Sequence, residues 1–321
     1  MGSVLNLLGH EPAWREWRKA MAGERMHHAW LFAGRRGVGK ASFAQAAARE
    51  LVGAAPGESG HHPDIVTLTY GPKDDKEERK RADGKPFELA RSIRISQIRA
   101  MQARLGTRPT LGERRAIIID PADDLERNAA NALLKSLEEP PRGTYFLLVA
   151  HSPARLLPTI RSRCRVLRFP TVSDTEMNGL LGEMAPGADD ATRAAAIVAA
   201  AGSPGAALEF VELELGKVAQ AMHQILERGD PDFHLRGALA GLIGARPDRD
   251  RIRAILELAR SVVAQRLDAT LSDPRPIIDT HGELVRLTGE QPTYNFDAGL
   301  LAMEIGTLLA KAATASERAD G

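Results

Sequence analysis

From His28 to Val52 the chain reads HAWLFAGRRGVGKASFAQAAARELV, and few stretches restrict a fold more. Residues 28–34 are an apolar run closed by glycine, which predicts a buried strand. The alanine-rich run Lys40–Val52 predicts a helix. Between them Gly34, Gly39 and Lys40 satisfy G-x-x-x-x-G-K, with a further glycine at Gly37. A glycine-rich turn from strand into helix aims unpaired backbone N–H groups at one point, the geometry that cradles phosphate, and the lysine reaches the outer phosphates. A chain built around such a turn needs a sheet behind it and helices over that sheet.

The rest of the first half supplies both. Strands are expected at 64–70 (DIVTLTY), 114–120 (RRAIIID), 145–150 (YFLLVA) and 165–169 (RVLRF). Helices are expected at 13–21, where Trp14, Trp17 and Met21 share a face, at 96–105 with Ile98, Met101 and Leu105 inward, and at 128–138, stopped by Pro140 and Pro141. Strand alternating with helix predicts a parallel sheet flanked by helices. Residues 73–85 carry charge of both signs and are expected to form an exposed loop. After Pro170 strand signals stop. Helices are expected at 174–182, 190–201, 204–214, 218–228, 234–243, 248–269 and 296–313, the 248–269 segment with a stripe at Ile252, Ile255, Leu256, Ala259 and Val263.

Position 41 bears on chemistry. Phosphate-binding loops that use Mg²⁺ place a Ser or Thr hydroxyl there; this chain has Ala41. Ser42 is about 100° further round the helix and is expected to point elsewhere, so metal-assisted hydrolysis is expected to be lost unless Ser42 or water substitutes. Asp120 ends the apolar strand of AIIIDPADD and could contact a metal. The residue after it, a water-positioning Glu in hydrolysing relatives, is Pro121, which has neither a base nor an N–H. Asp123 and Asp124 read as loop or cap residues.

Net charge is +1, but residues 1–170 hold 29 Lys and Arg against 19 Asp and Glu, whereas the remainder holds 14 against 23. A basic first half suits a polyanion or an acidic partner. The single cysteine, Cys164, excludes an intrachain disulfide and a multi-cysteine zinc cluster. Without a signal peptide pattern or a long apolar run, a cytoplasmic protein is the default expectation.

The stretches NAANALLKSLEEPP (128–141) and YFLLVAHSPARLLPTIRSRC (145–164), with GHEPAW, HHAWLFAG and HPDIV, resemble the bacterial clamp-loader family of AAA+ proteins. The likeness is dense over 1–170, fair over 171–210, and beyond that rests on length and helical character. It implies an α/β AAA+ P-loop domain over 1–170, an all-α lid over 171–211 and an all-α collar domain for oligomerisation over 212–321.

Ser162-Arg163-Cys164 matches the family's S-R-C motif, whose arginine acts in trans on ATP bound to a neighbouring subunit. An always-charged, flat guanidinium suits that role; taken alone, such an arginine reads as a surface ion-pair partner. Cys164 reads as a small packed residue. Further departures concern the same pocket. Ala150 and His151 stand where motor subunits carry a polar sensor, and GSPGAAL (202–208) has Gly205 in place of the lid arginine. The four-cysteine zinc module of many relatives is missing from 52–64, and His61 and His62 alone cannot replace it, so no zinc and no other metal is expected.

The resemblance thus implies a non-hydrolysing, stator-like subunit of the DNA polymerase III clamp loader, not catalytic by itself, in a hetero-oligomer with motor (gamma/tau) and delta subunits. Its further partners would be the sliding clamp and primed DNA. No cofactor is required, and whether Gly34, Gly37, Gly39 and Lys40 still hold ATP or ADP uncleaved stays open. Arg99 and Arg104, on the helix at 96–105, are the DNA-contact candidates, against a merely solvated face. A hydrolysing motor subunit and a nucleotide-independent DNA-binding adaptor are the alternatives.

Overall fold

The structure, a computed structural model, describes residues 10–23, 25–55, 61–267, 273–291 and 296–317. It divides into two compact units, Met1–Val172 and Ser173–Gly321.

The first unit begins with α1 (Glu11–Met21), β1 (Ala29–Ala33), α2 (Lys40–Val52) and β2 (Ile65–Leu68), then α3 (Asp75–Ala82), α4 (Ile95–Leu105), β3 (Arg115–Ile119) and α5 (Arg127–Glu138). β4 (Thr144–Ala150), the short α6 (Pro158–Arg161) and β5 (Arg165–Arg168) complete it. The strands form one parallel sheet in the order β2-β3-β4-β1-β5. β1 and β3 are buried at every position, as strands covered by helices on both faces must be. Successive residues therefore serve opposite layers. Leu31, Ile117, Phe146 and Leu148 pack with Ile98, Met101 and Leu105 of α4 and Leu133 and Leu137 of α5. Trp30, Phe32, Ile118, Leu147 and Val149 pack with Trp17 of α1 and with Phe43, Ala47 and Leu51 of α2.

One expectation fails here. Residues 73–85 contain the helix α3. It lacks an apolar stripe, and charge order holds it instead. Asp74 caps the first turn by accepting from Glu77 N at 2.9 Å. Acids fill the first turn and bases the last, which suits the helix dipole, and Lys80–Glu77 and Arg81–Glu78 pair one turn apart.

The second unit is helical among its described residues: α7 (Asp174–Met184), α8 (Asp190–Ala200), α9 (Pro204–Glu212), α10 (Gly216–Arg228), α11 (His234–Ile243), α12 (Arg249–Gln265), α13 (Arg275–Glu290) and α14 (Ala298–Glu317). It takes in both segments assigned above to lid and collar. Ser173, Asp189, Ser203 and Asp248 cap α7, α8, α9 and α12 through side-chain acceptors. The helix α13 was not expected. Its inward stripe is Ile277, Thr280, Leu284 and Leu287, and the threonine, whose hydroxyl donates to Leu308 O at 3.2 Å, interrupts the apolar pattern. The expected end of the helix at 248–269 includes 268–269, which lie outside the described residues, as do Gly9 and 56–60 of the segments compared above. No helix among the described residues is long and apolar enough to cross a membrane.

Candidate functional site

The glycine turn sits where β1 hands over to α2, at the C-terminal edge of the sheet. Gly37 and Gly39 have φ of 79° and 92°, the left-handed region in which a side chain would be strained. Gly34 is required for a different reason: a Cβ there would lie 2.4 Å from the carbonyl oxygen of Phe169. Phe169 N donates to Ala33 O at 2.8 Å, so the chain leaving β5 is laced to the last residue of β1, just before the loop. His10, missed in the sequence, ties the loop from the other side. It is buried, its Nε2 donates to Val38 O at 2.6 Å, and its ring meets Phe169 edge-on at 5.0 Å.

Lys40 is 2% exposed. Its Nζ donates to Gly34 O at 2.7 Å and Arg35 O at 2.5 Å, so the ammonium is folded onto the carbonyls of its own loop. Burial pushes its pKa down to about 8, although the negative charges of Asp120 and Asp123 pull the other way. Burial conversely pushes Asp120 above the usual carboxylate range, partly offset by Lys40. Ala41 opens the exposed side of α2 with a methyl group.

Asp123 and Asp124 are committed to the fold. The Asp123 carboxylate accepts from His151 N at 3.1 Å and Ser152 N at 2.7 Å, pinning the chain after β4 to the turn after β3. Asp124 accepts from the Tyr70 hydroxyl at 2.5 Å and pairs with Arg155 at 3.0 Å. Burial and this carboxylate raise the Tyr70 pKa. Among the described residues no group of three His, Cys, Asp or Glu side chains could hold a metal ion.

The second candidate group lies elsewhere. Arg163 comes two residues before β5 begins, whereas the glycine turn follows the end of β1. The two strands run parallel with Trp30 beside Arg165 and Ala33 beside Arg168. At about 3.3 Å per residue, the sheet separates the two sites by more than roughly 10 Å and sets them on opposite edges. Arg163 donates from Nη1 to Thr159 O at 2.9 Å and from Nη2 to Glu138 Oε1 at 2.5 Å. The side chains of Arg163 and Glu138 are 34% and 47% exposed. Glu138, also missed in the sequence, ends α5 at this edge, where His28 Nε2 donates to Leu137 O at 2.8 Å. Its signal was the double acid before Pro140 and Pro141, but only the fold reveals its partner. Ser162 is exposed, with its hydroxyl donating to Thr159 O at 3.2 Å. Cys164 packs against the α4–α5 layer, and burial pushes its thiol up to about 12.

Arg99 and Arg104 are exposed on α4, while Ile98, Met101 and Leu105 face the core. Gly205 lies in the first turn of α9 behind the Ser203 cap.

A parallel sheet with a glycine turn and lysine at one edge, followed by a helical region, defines a P-loop protein of the AAA+ type. The crystal structure of a DNA polymerase III, gamma subunit-related protein from Thermotoga maritima has the same fold, with a TM-score of 0.52 at 16% identity over 94% of this chain and 99% of that one. The family model described as DNA polymerase III, delta subunit, matches residues 9–173. The DNA polymerase III subunit delta-prime of Pseudomonas aeruginosa is 36% identical over 167 residues, 46% of this chain and 46% of that protein. The Escherichia coli protein of the same name is 30% identical over 233 residues, 68% of this chain and 64% of that protein. The chain therefore belongs to the family of DNA polymerase III delta-prime clamp-loader subunits. It spans between about half and two thirds of the length of these relatives, at 46% and 64%.

Proposed function

We propose that this chain is a non-hydrolysing stator of the replicative clamp loader, which offers Arg163 to ATP held by a neighbouring motor subunit and helps place a sliding clamp on primed DNA. Its partners in this reading are motor (gamma/tau) and delta subunits in one hetero-oligomer. The observation that carries it is the placement of Arg163. The guanidinium lies on the sheet edge away from the chain's own Lys40, half-exposed, with a single exposed carboxylate as its ion-pair partner. Exposed pairs of this kind contribute about 0–1 kcal/mol, so a phosphate on a second protomer can displace Glu138 at little cost. Ser162 and the helix turn at Thr159 position the arginine, and Cys164 anchors the turn in the core.

The chain's own P-loop fits Mg-nucleotide turnover poorly. Position 41 has no hydroxyl, and Pro121 offers no base. These features favour the stator over the motor reading, and no step is assigned to nucleotide in this pocket.

The test is a clamp loader reconstituted with Arg163→Ala. DNA-stimulated ATP turnover at the site the arginine serves is expected to fall on the order of 10³-fold, the scale of arginine fingers elsewhere, and clamp loading is expected to fall with it. Turnover and loading at wild-type level would refute the reading.

A further inference from the structure

The end of α1, the turn after it and the edge strand β5 together enclose an open cavity of about 560 Å³. That volume lies within the roughly 300–1,000 Å³ usual for ligand sites, yet the lining is unlike most of them. Among the described residues, Arg15, Lys19, Arg25 and Arg165 line it with one acid, Glu16. Arg165 already takes that acid, placing Nη2 at 3.0 Å and Nε at 3.2 Å from Glu16 Oε1, and its guanidinium lies over the Trp30 ring at 5.1 Å from the centroid. Arg15, Lys19 and Arg25 are exposed, and none makes an ion pair with a described residue. Among the described residues, three cations without an ion pair thus line one concavity, and its described acid is already engaged. Arg15 and Lys19 are one helical turn apart on α1, where like charges oppose each other unless an anion lies between them.

We infer that this groove is a binding site for the phosphodiester backbone of a nucleic acid. Guanidinium and ammonium donors spread over a groove suit successive phosphates. The lining offers no exposed aromatic ring for base stacking, so contact is to backbone and independent of sequence. The choice of nucleic acid over another polyanion rests on the proposed role at primed DNA; the groove itself does not involve Arg163. The site is also separate from Arg99 and Arg104 on α4.

The test uses the full chain and a fluorescein-labelled primed duplex, with anisotropy read across a salt series. Each neutralised phosphate contributes about 0.7–0.9 to the slope of log affinity against log salt. The triple variant Arg15→Gln, Lys19→Gln, Arg25→Gln is expected to lower that slope by about 2–3 and to weaken binding at low salt more than tenfold. Its thermal melt should match wild type, because all three side chains are exposed. Arg163→Ala is expected to bind the duplex as wild type does, so failure here leaves the turnover assay standing, and the reverse also holds. An unchanged slope in the triple variant would overturn the inference. So would loss of the whole slope in Arg99→Gln with Arg104→Gln, or a groove that captures poly-glutamate and leaves the duplex unbound.

Discussion

Two cations on opposite edges of one sheet have opposite surroundings. Lys40 is buried and bonded to two carbonyls of its own loop. Arg163 is half-open and rests on a neighbouring glutamate that is itself half in solvent. Around Lys40 the backbone is crowded and laced to β5 and to His10; around Arg163 the turn is short and its contacts are exposed. In the proposed reading, the motif that promises nucleotide chemistry in the sequence serves as a structural joint. In the same reading, the arginine that looks like an ordinary surface residue is the one offered to another molecule.

If that contrast is right, damage to the glycine turn harms folding and damage to the arginine corner does not. The largest effect is expected from Gly34→Ala, whose new methyl would lie 2.4 Å from Phe169 O. A destabilisation of about 3 kcal/mol by urea unfolding is expected, at the top of the usual range for over-packing. A loss below about 0.5 kcal/mol would show that the joint is looser than described.

Lys40→Met probes the sealed cation through pH. Burial lowers the lysine's pKa from 10.5 to about 8. Between those values the unfolded chain binds more protons than the folded one, so this residue's contribution to stability rises with pH through that window. Below it the ammonium is charged in both states and the cost of burying the charge is fully present. The stability of wild type relative to Lys40→Met is therefore expected to improve from about pH 8 to about pH 10.5. A flat difference would mean that the ammonium is solvated. The smallest effect belongs to Glu138→Gln, expected to change stability by less than about 1 kcal/mol because the pair it removes is exposed. A loss several times larger would make the arginine corner a structural joint as well.

The strands were legible because a parallel strand covered on both faces is a near-continuous apolar run, as AWLFA and the AIII of β3 are. The helix α2 was legible to its last residue, since Gly53 in the left-handed region stops it. Its neighbour α3 was not, because its stabilisation comes from the order of charges and a cap, not from a stripe. The helix α13 hid behind Thr280, a polar residue on a buried face. In the site, the glycines could be read from motif spacing, and Arg163 only through the resemblance to the clamp-loader family. The work of Asp123 could not, since its amide partners lie 28 and 29 residues downstream, nor could the Glu138–Arg163 pair, 25 residues apart. Such pairings exist only once the sheet has brought strand ends together.

The most direct trial of the contrast sets two variants side by side in the same reconstituted clamp loader and reads DNA-stimulated ATP turnover. Lys40→Ala is expected to leave turnover within about twofold of wild type, while Arg163→Ala removes on the order of 10³-fold at the site it serves. The opposite ranking, with Lys40→Ala abolishing turnover and Arg163→Ala sparing it, would contradict the account.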